Sequence, residues 1–506
     1  MFCHVAEKAY FRGVKVIKDR FLMAKMSALM KDTAIYGLSS IVGRFLNYML
    51  VPLYTRCISV ESGGYGIVTN LYAYTALLLV LLTFGMETTL FRFANDQKER
   101  PDTVFSTVMA VVTALTVVFL LLVFGCIDFI GDLIHYADHH DYIQIMAVVV
   151  ALDALQAIPF SYLRFQRRPI RFAALKLLFI IMNIGLNLLY FVILGKDTPI
   201  YVFALNLVCT GFITLLFIPD LYKVKWHFDA ALLRQMLSYS WPILVLGIAG
   251  ILNQVADKII FPLVYPDKVE ANVQLGIYGS CVKIAMIMAM ITQAFRYAYE
   301  PIVFAKAKDR DSKEYYAMAM KYFLVFTLLA FLCVMGYIDV LQLILGRGYR
   351  EGMGVVPIVM AAEIMMGVYF NLSFWYKLID KTIYGAWFSL AGCVVLVVVN
   401  VLFIPHYGYW ACAWGGFAGY ATCMTLSYFV GQRKNPINYP MRSMGLYVLL
   451  TVILYCGMML TQGLSLWVQL PVNTLLIACF VVYIIKQDFP LESLPVVGKW
   501  FKREVV

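Results

Sequence analysis

Polar and ionisable side chains recur at helical spacing inside apolar stretches of this chain. Ser40, Arg44 and Asn47 are four and three residues apart, so a helix places all three on one face. An ionisable group at the centre of a bilayer costs about 2.5–3.5 kcal/mol and is tolerated where it faces a partner or a watery cavity. If this stretch crosses a membrane, its arginine indicates either a buried ion pair or a cavity that binds an anion.

A similar stripe occurs about 200 residues later. Asn253 and Asp257 are four residues apart, with Gln254 and Lys258 on an adjoining face. An offset of 210 residues aligns Asn47 with Asp257, so the two stripes fall at matching depth. Matching stripes favour a polar central cavity over isolated structural contacts.

A third stripe consists of Gln293, Arg296 and Glu300, again on one helix face. Arg296 and Glu300 are also spaced to form an internal ion pair, so a structural role stays open. Lys283 lies thirteen residues before Arg296, about 220° around a straight helix. It reaches the same cavity only if the helix bends, and it is near enough to one end of its stretch to extend toward the membrane surface.

Three further charged residues stand alone within apolar stretches. They are Asp153, Lys176 and Glu363. Glu363 lies in the middle of its stretch with no basic residue close in sequence. An isolated intramembrane carboxyl group is a candidate functional site.

The elements that position these residues are predicted from composition. Of 506 residues, 62% are hydrophobic and 14% charged, whereas a soluble domain has about 25% charged residues. Most side chains must therefore face lipid, and a spanning helix needs about 20 apolar residues. Fourteen stretches qualify: 33–56, 65–91, 103–125, 143–163, 172–194, 199–219, 240–262, 276–303, 317–345, 353–376, 382–404, 408–430, 444–462 and 465–485. The predicted fold class is an all-α polytopic membrane protein.

Lys and Arg are distributed unevenly between alternate loops. Thirty fall on one side, seven of them in the leader 1–31, and four on the other. Cytoplasmic loops retain Lys and Arg, so both termini are predicted to be cytoplasmic and the leader to be a basic cytoplasmic segment. The same rule accounts for the net charge of +11 without a nucleic-acid partner.

A weak internal repeat relates the two halves. It aligns Pro52-Leu53 with Pro262-Leu263, Tyr65-Gly66 with Tyr278-Gly279, and Glu87 with Glu300. Their common order and spacing favour a six-helix duplication, as in many transporters. The predicted organisation is a leader (1–31), an N-lobe of helices 1–6 (32–220), a C-lobe of helices 7–12 (221–432), two extra helices 13–14 (433–486) and a cytoplasmic tail (487–506).

Catalytic and metal motifs are absent from the sequence. No Walker A loop, nucleophile elbow or dinucleotide-binding turn occurs, so we expect neither an enzyme nor a cofactor. The loop 132–141 is rich in Asp and His, but its spacing matches no compact zinc site, and a solvated acidic loop is the preferred interpretation. Most of the eleven cysteines lie in apolar stretches and are interpreted as small buried side chains.

The chain resembles the polysaccharide flippase branch, of the O-antigen and capsule type, of the multidrug/oligosaccharidyl-lipid/polysaccharide exporter superfamily. The segments that carry the resemblance are Lys31-Asp-Thr-Ala-Ile-Tyr-Gly-Leu38, Val51-Pro-Leu-Tyr-Thr-Arg56, Glu61-Ser-Gly-Gly-Tyr-Gly66 and Gly85-Met-Glu-Thr-Thr-Leu-Phe-Arg92. The fourteen-helix count and the two-lobe repeat extend it over nearly the whole chain. The multidrug branch shares the architecture, usually with twelve helices.

This resemblance implies a protein of the bacterial plasma membrane that moves undecaprenyl-pyrophosphate-linked oligosaccharide from the inner to the outer leaflet. Transport would proceed by alternating access of a V-shaped pair of lobes, for surface polysaccharide biosynthesis. Members line the cavity with cationic residues that meet the anionic head group. Arg44 and Arg296 are the positions that the resemblance assigns to this role, and Lys258 and Lys283 are further candidates.

The same resemblance implies roles for the remaining polar residues. Ser40, Asn47 and Gln293 would complete the cavity wall. A coupling ion, H⁺ or Na⁺, would bind or gate at acidic positions, for which the candidates are Asp257, Glu300, Glu87 and Glu363.

Two rival functions remain as alternatives. A cation-coupled multidrug exporter of the same superfamily would present an acidic cavity, whereas the stripes here supply arginines. A membrane-embedded glycan polymerase or ligase usually needs a sizeable outer loop, and the longest one here, around 126–142, is short.

Overall fold

The computed structural model describes residues 48–96, 100–305, 312–379 and 381–488, without the side chains of residues 297, 298, 300–302, 304 and 305. The leader 1–31, most of the tail, and Ser40, Arg44 and Asn47 lie outside the described residues. The side chain of Glu300 lies outside them as well.

Within these ranges all regular structure is helical. The first half contains α1 (Leu50–Cys57), α2 (Gly64–Thr83), α3 (Met86–Ala94), α4 (Pro101–Gly125), α5 (Ile127–Leu133), α6 (His140–Phe165), α7 (Pro169–Leu188, continued by a π-helical turn at Leu189–Ile193) and α8 (Ile200–Leu221). The second half contains α9 (Ala230–Val264), α10 (Lys268–Ala305), α11 (Ser312–Gly336), α12 (Ile338–Leu341), 3₁₀ turns at Gln342–Ile344 and Arg347–Val355, α13 (Val356–Leu372), α14 (Phe374–Leu378), α15 (Ile383–Tyr407), α16 (Tyr409–Lys434), α17 (Met441–Leu460) and α18 (Leu466–Gln487).

Twelve helical segments of the described chain are long and apolar enough to cross a membrane, which confirms the predicted class. The predicted span 408–430 is present as helix α16, but it is not among the twelve, since its glycines and hydroxyl-bearing side chains lower its hydropathy. Only the end of the predicted span 33–56 is described, as α1. The total of fourteen spans therefore stays a prediction.

The predicted span 65–91 is interrupted. Phe84 (φ 49°) and Gly85 (φ 68°) both have left-handed backbone, so α2 ends there and α3 begins at a new angle. A Cβ on Gly85 would lie 3.2 Å from the backbone oxygen of Ser240 in α9. The interruption lets α9 approach closely at a position where only glycine is unstrained.

The helices of each half pack largely among themselves. In the first half α6 contacts α2, α3, α4 and α8, and in the second half α16 contacts α9, α13 and α15. Helices α9 and α10 both pack against α2 and so join the two groups. The lobe boundaries and the six-helix duplication remain predictions.

The hairpin of α17 and α18 packs on α11. Asn473 donates to the carbonyl of Gly336 at 2.9 Å near one end of the hairpin. At the other end Lys321 pairs with Asp488, which also accepts a hydrogen bond from the Tyr447 hydroxyl at 2.6 Å. These contacts fix the hairpin to the bundle at both ends.

The two halves meet tightly at the end of the bundle that is predicted to face outward. A Cβ on Gly66 would lie 1.8 Å from the backbone oxygen of Asn272, so the helices approach as only glycine permits. Tyr349 donates to the carbonyl of Ile58 at 3.1 Å, and Tyr136 donates to Asn272 at 3.0 Å. Direct packing therefore closes this end.

Candidate functional site

A cavity of about 420 Å³ lies among the helices of the second half, at the depth of the polar stripes. Its polar wall includes Asn253, Gln254, Asp257 and Lys258 from α9, Tyr278, Thr292, Gln293 and Arg296 from α10, Glu363 from α13, and Cys412 and Tyr420 from α16. From the first half, the described lining includes Tyr48, which lies just before α1. The structure thus brings two of the three predicted stripes together.

Helix α9 supplies the most highly connected part of the wall. Lys258 donates to both carboxylate oxygens of Asp257, at 3.0 and 2.9 Å, and to the carbonyl of Gln254 at 3.2 Å. The Tyr278 hydroxyl donates to the same carboxylate at 2.7 Å. Adjacent residues on a helix normally point about 100° apart, so the lysine stem must curl back to make this pair.

Helix α10 carries the second predicted cation. The Arg296 guanidinium lies 5.1 Å from the ring centroid of Phe370, within the distance of a cation–π contact. Gln293 lines the cavity one turn earlier. The alternative Arg296–Glu300 pair involves a side chain outside the described residues, so it stays a prediction.

Several polar atoms of the wall have no hydrogen-bond partner within the described chain. Asn253 donates to the carbonyl of Ser389 at 2.8 Å, but its Oδ1 is unmatched, as is the Thr292 hydroxyl. Glu363 makes no hydrogen bond or ion pair with another described side chain, although the charge of Lys258 acts on it across the cavity. Buried polar groups normally find partners, so this wall is suited to water or a polar ligand.

The lysine predicted from the other face of α10 lies beside this cavity. Lys283 does not line it, and its ammonium lies 5.3 Å from the ring centroid of Tyr48. Because Tyr48 follows Asn47 directly, the described chain enters the bundle at the cavity.

Glu87 lies elsewhere. It accepts hydrogen bonds from Ser161 at 2.9 Å and Arg164 at 3.2 Å, beside a separate cavity of about 340 Å³ in the first half. The repeat that aligns it with Glu300 therefore does not bring it to Asp257 and Glu363.

Sequence reasoning missed the aromatic part of the site. Tyr278 holds Asp257, and Tyr420 and Phe370 line the cavity. In a chain with 34 tyrosines and 35 phenylalanines, nothing in the spacing distinguishes these three from packing residues.

Metal-binding chemistry finds no support in the described ranges. No three His, Cys, Asp or Glu side chains there come close enough to hold a metal ion. In the Asp- and His-rich loop, the nearest ion pair joins His140 to Asp128 at 3.7 Å.

The chain is similar in sequence to a known protein family. The sequence profile described as "Polysaccharide biosynthesis protein" matches residues 29–302. No curated protein sequence matches the chain.

Solved structures share the fold at low sequence identity. The lipid II flippase MurJ, in an inward closed conformation, aligns with a TM-score of 0.71 and 15% identity over 89% of this chain and 98% of MurJ. An inward-facing multidrug resistance MATE family transporter of the MOP superfamily aligns with a TM-score of 0.62 and 14% identity over 79% and 94%. The MATE multidrug transporter DinF-BH aligns with a TM-score of 0.57 and 15% identity over 80% and 96%.

Proposed function

This chain belongs to the polysaccharide biosynthesis protein family, and from that premise we propose that it is a flippase for undecaprenyl-pyrophosphate-linked oligosaccharide. It would move this cargo from the inner to the outer leaflet by alternating access, for surface polysaccharide biosynthesis. The observation that carries the proposal is a cavity among membrane-spanning helices whose wall combines Arg296 with unmatched polar atoms.

The chemistry of the wall suits an anionic, hydroxyl-rich cargo. An arginine fork holds phosphate oxygens with two parallel hydrogen bonds, and these charge-assisted bonds are about twice as strong as neutral ones. The unmatched Oδ1 of Asn253 offers an acceptor to sugar hydroxyls, and the side-chain amide of Gln254 offers both donors and an acceptor.

Arg44 belongs to the same proposal. It stands four residues before Tyr48, and a continuous helix places residues four apart on one face. Since the Tyr48 ring lines the cavity, a helical span 33–56 would direct Arg44 toward it. Ser40 and Asn47 would lie on or beside this face.

The membrane potential favours export of such a cargo. Moving one charge through 100 mV is worth about 2.3 kcal/mol, so two negative charges leaving a negative cytoplasm gain about 4–5 kcal/mol. The sequence leaves a second source of energy open, namely an ion bound at Asp257 or Glu363. Both termini would be cytoplasmic in a bacterial plasma membrane, and the lipid tail would stay in the bilayer beside the lobes.

Alternating access requires that one end of the bundle close while the other opens. The tight contact of Gly66 with Asn272 would be the closed outer end in this conformation, and it would separate to release cargo. The V-shaped movement of the two lobes would occur about the α2–α9 contact.

The test replaces Arg296 and, separately, Arg44 with Ala at normal expression. We expect surface polysaccharide to fall at least about ten-fold, since a hydrogen bond to a charged group is worth about 1.5–3 kcal/mol, while lipid-linked precursor accumulates in the inner leaflet. Arg296→Lys retains the charge and should recover part of the activity. The matched control is Arg433→Ala at an exposed position, and unchanged export in both cavity variants would refute the proposal.

A cation-coupled multidrug exporter is the second candidate, because Asp257 and Glu363 also line the cavity. Such an exporter would carry a cationic dye out of cells, and Arg296→Ala would leave that export intact while Glu363→Gln abolished it. We expect the opposite, namely no dye export and a polysaccharide defect only in the arginine variant.

A further inference from the structure

The Asp257 carboxylate accepts three hydrogen bonds from donors of the chain. Both of its oxygens accept from the Lys258 ammonium, and Tyr278 supplies the third bond at 2.7 Å. Asp257 as a whole residue is 6% exposed. The side chains of Asp257 and Lys258 are 8% and 16% exposed, respectively. A monovalent cation that bound this carboxylate would therefore have to displace the ammonium.

The charged and titratable groups around this pair come from three other helices. Helix α10 contributes Tyr278, Lys283 and Arg296, helix α13 contributes Glu363, and helix α16 contributes Cys412 and Tyr420. Helix α2 packs on α9 without Asp, Glu, Lys or Arg, as does α15, which has His406 near its far end. Helices α3 and α4 also pack on α9, and their Glu87, Arg92 and Asp102 contact Arg164, Tyr239 and Tyr162, respectively. Among the described residues, Lys258 is therefore the cation that bonds to Asp257.

We propose that Lys258 is a tethered counter-ion that takes the place of a coupling cation at Asp257. Removing one partner of a buried ion pair is strongly destabilising, so Asp257 keeps the stabilisation of its pair with Lys258 only if the ammonium moves with it. A lysine on the same helix, one residue away, moves with the acid through the cycle. The empty carrier then returns without binding Na⁺ or H⁺ at this site.

The role of this pair in transport rests on the proposed flippase function. The neutral Lys258–Asp257 pair leaves Arg296, with the predicted Arg44, as the positive charge that meets the cargo. Export would then draw on the charge of the cargo in the membrane potential and not on a cation bound at Asp257. The inference itself concerns only the empty protein, so it can be tested without any cargo.

The experiment measures thermal stability of the purified protein in NaCl and in choline chloride at equal ionic strength, at pH 8 and pH 6. We expect no Na⁺-specific stabilisation of the wild-type protein. In Lys258→Gln, Asp257 has lost its ammonium partner and should bind Na⁺ or a proton from solution instead. Added Na⁺ or acid should therefore raise Tm by about 2 °C or more. Lys258→Arg retains the tether and should behave like the wild type.

Two double variants identify the acid responsible. Asp257→Asn with Lys258→Gln should lose the response to Na⁺ and acid, whereas Glu363→Gln with Lys258→Gln should keep it. If Lys258→Gln does not accumulate as folded protein, recovery of folding in the Asp257→Asn double variant supports the proposal, and failure of both counts against it.

Two results would overturn the inference. One is a Na⁺-specific stabilisation of the wild-type protein that Asp257→Asn removes, because the carboxylate would then be an ordinary cation site. The other is a folded Lys258→Gln protein that is indifferent to both Na⁺ and acid. Neither result bears on whether Arg296→Ala blocks polysaccharide export, so failure of this inference is distinguishable from failure of the proposed function.

Discussion

Both halves of the bundle bury polar side chains, but they satisfy them in different ways. In the first half the Tyr54 hydroxyl donates to Asn187 at 2.9 Å, and Asn187 donates to the side chain of Asn183 at 3.0 Å. In the second half, Asn253 and Thr292 each leave a buried polar atom unmatched within the described chain. This first-half network joins helices, whereas Asn253 and Thr292 border a cavity; first-half residues such as Asn70 and Thr116 also have an unmatched buried atom, but neither lines that cavity.

A second cluster shows the same behaviour in the first half. Gln156 donates to the carbonyl of Thr210 and to the hydroxyl of Thr214, both at 2.8 Å. Asn206 donates to the Tyr72 hydroxyl at 2.9 Å. These bonds link α6, α8 and α2, which is how polar residues stabilise helix packing in a membrane.

The comparison teaches that polar residues in a predicted repeat need not share a function. The lone charges Asp153 and Lys176 belong to the first half, and the Lys176 ammonium lies 4.0 Å from the ring centroid of Phe160. Asp257, Lys258 and Arg296 instead border empty volume. A position beside a cavity, and not polarity itself, separates a candidate binding residue from a structural contact.

The largest stability effect is expected for Asn187→Leu. This substitution removes a buried amide that makes bonds to Tyr54 and Asn183 and leaves their polar groups unmatched, which should lower the free energy of unfolding by about 1–3 kcal/mol. Thermal unfolding in detergent measures the loss, and export per folded molecule should stay near the wild-type value. Unchanged stability, or a selective transport defect, would contradict a purely structural role for this network.

Glu363→Gln should have a smaller effect of opposite sign. Glu363 has neither an ion pair nor a hydrogen bond within the described chain, and a neutral amide is less costly to bury than a carboxylate. At pH 8 we expect the free energy of unfolding to rise by about 1 kcal/mol. Glu87→Gln is the matched control, since it breaks contacts with Ser161 and Arg164 and should not stabilise the protein.

Much of the fold could be predicted from the sequence, because a bilayer requires long apolar helices. Predicted spans such as 103–125 and 143–163 match α4 (Pro101–Gly125) and α6 (His140–Phe165) within a few residues. The break at Gly85 was not predicted, because it depends on the approach of Ser240 from a helix distant in sequence. Apolar length defines a span but carries no information about such contacts.

The site could be predicted in part, for a related physical reason. Helical spacing groups Asp257 with Asn253, and Arg296 with Gln293, since residues three or four apart share a face, and all four line the described cavity. Spacing places Lys258 on an adjoining face, and the long, flexible lysine stem brings its ammonium back to Asp257.

The contribution of Tyr278 was also beyond sequence reasoning. Its bond to Asp257 joins residues 21 positions apart on two different helices. Spacing rules describe one helix at a time, so contacts between helices require the packed bundle.

The smallest and sharpest effect is expected from a matched pair of threonines, one in each half. Thr210 is buried and donates to Asn206 at 3.3 Å, whereas Thr292 is buried at the cavity wall with an unmatched hydroxyl. Valine has nearly the same shape, so Thr210→Val should lower the free energy of unfolding by about 0.5–1.5 kcal/mol because a hydrogen bond is lost. Thr292→Val should leave it unchanged or raise it slightly, since no bond is lost and a hydroxyl is no longer buried. Chemical denaturation of both variants under one set of conditions decides the matter, because equal destabilisation would mean that Thr292 has a partner and that the two halves use their polar groups alike.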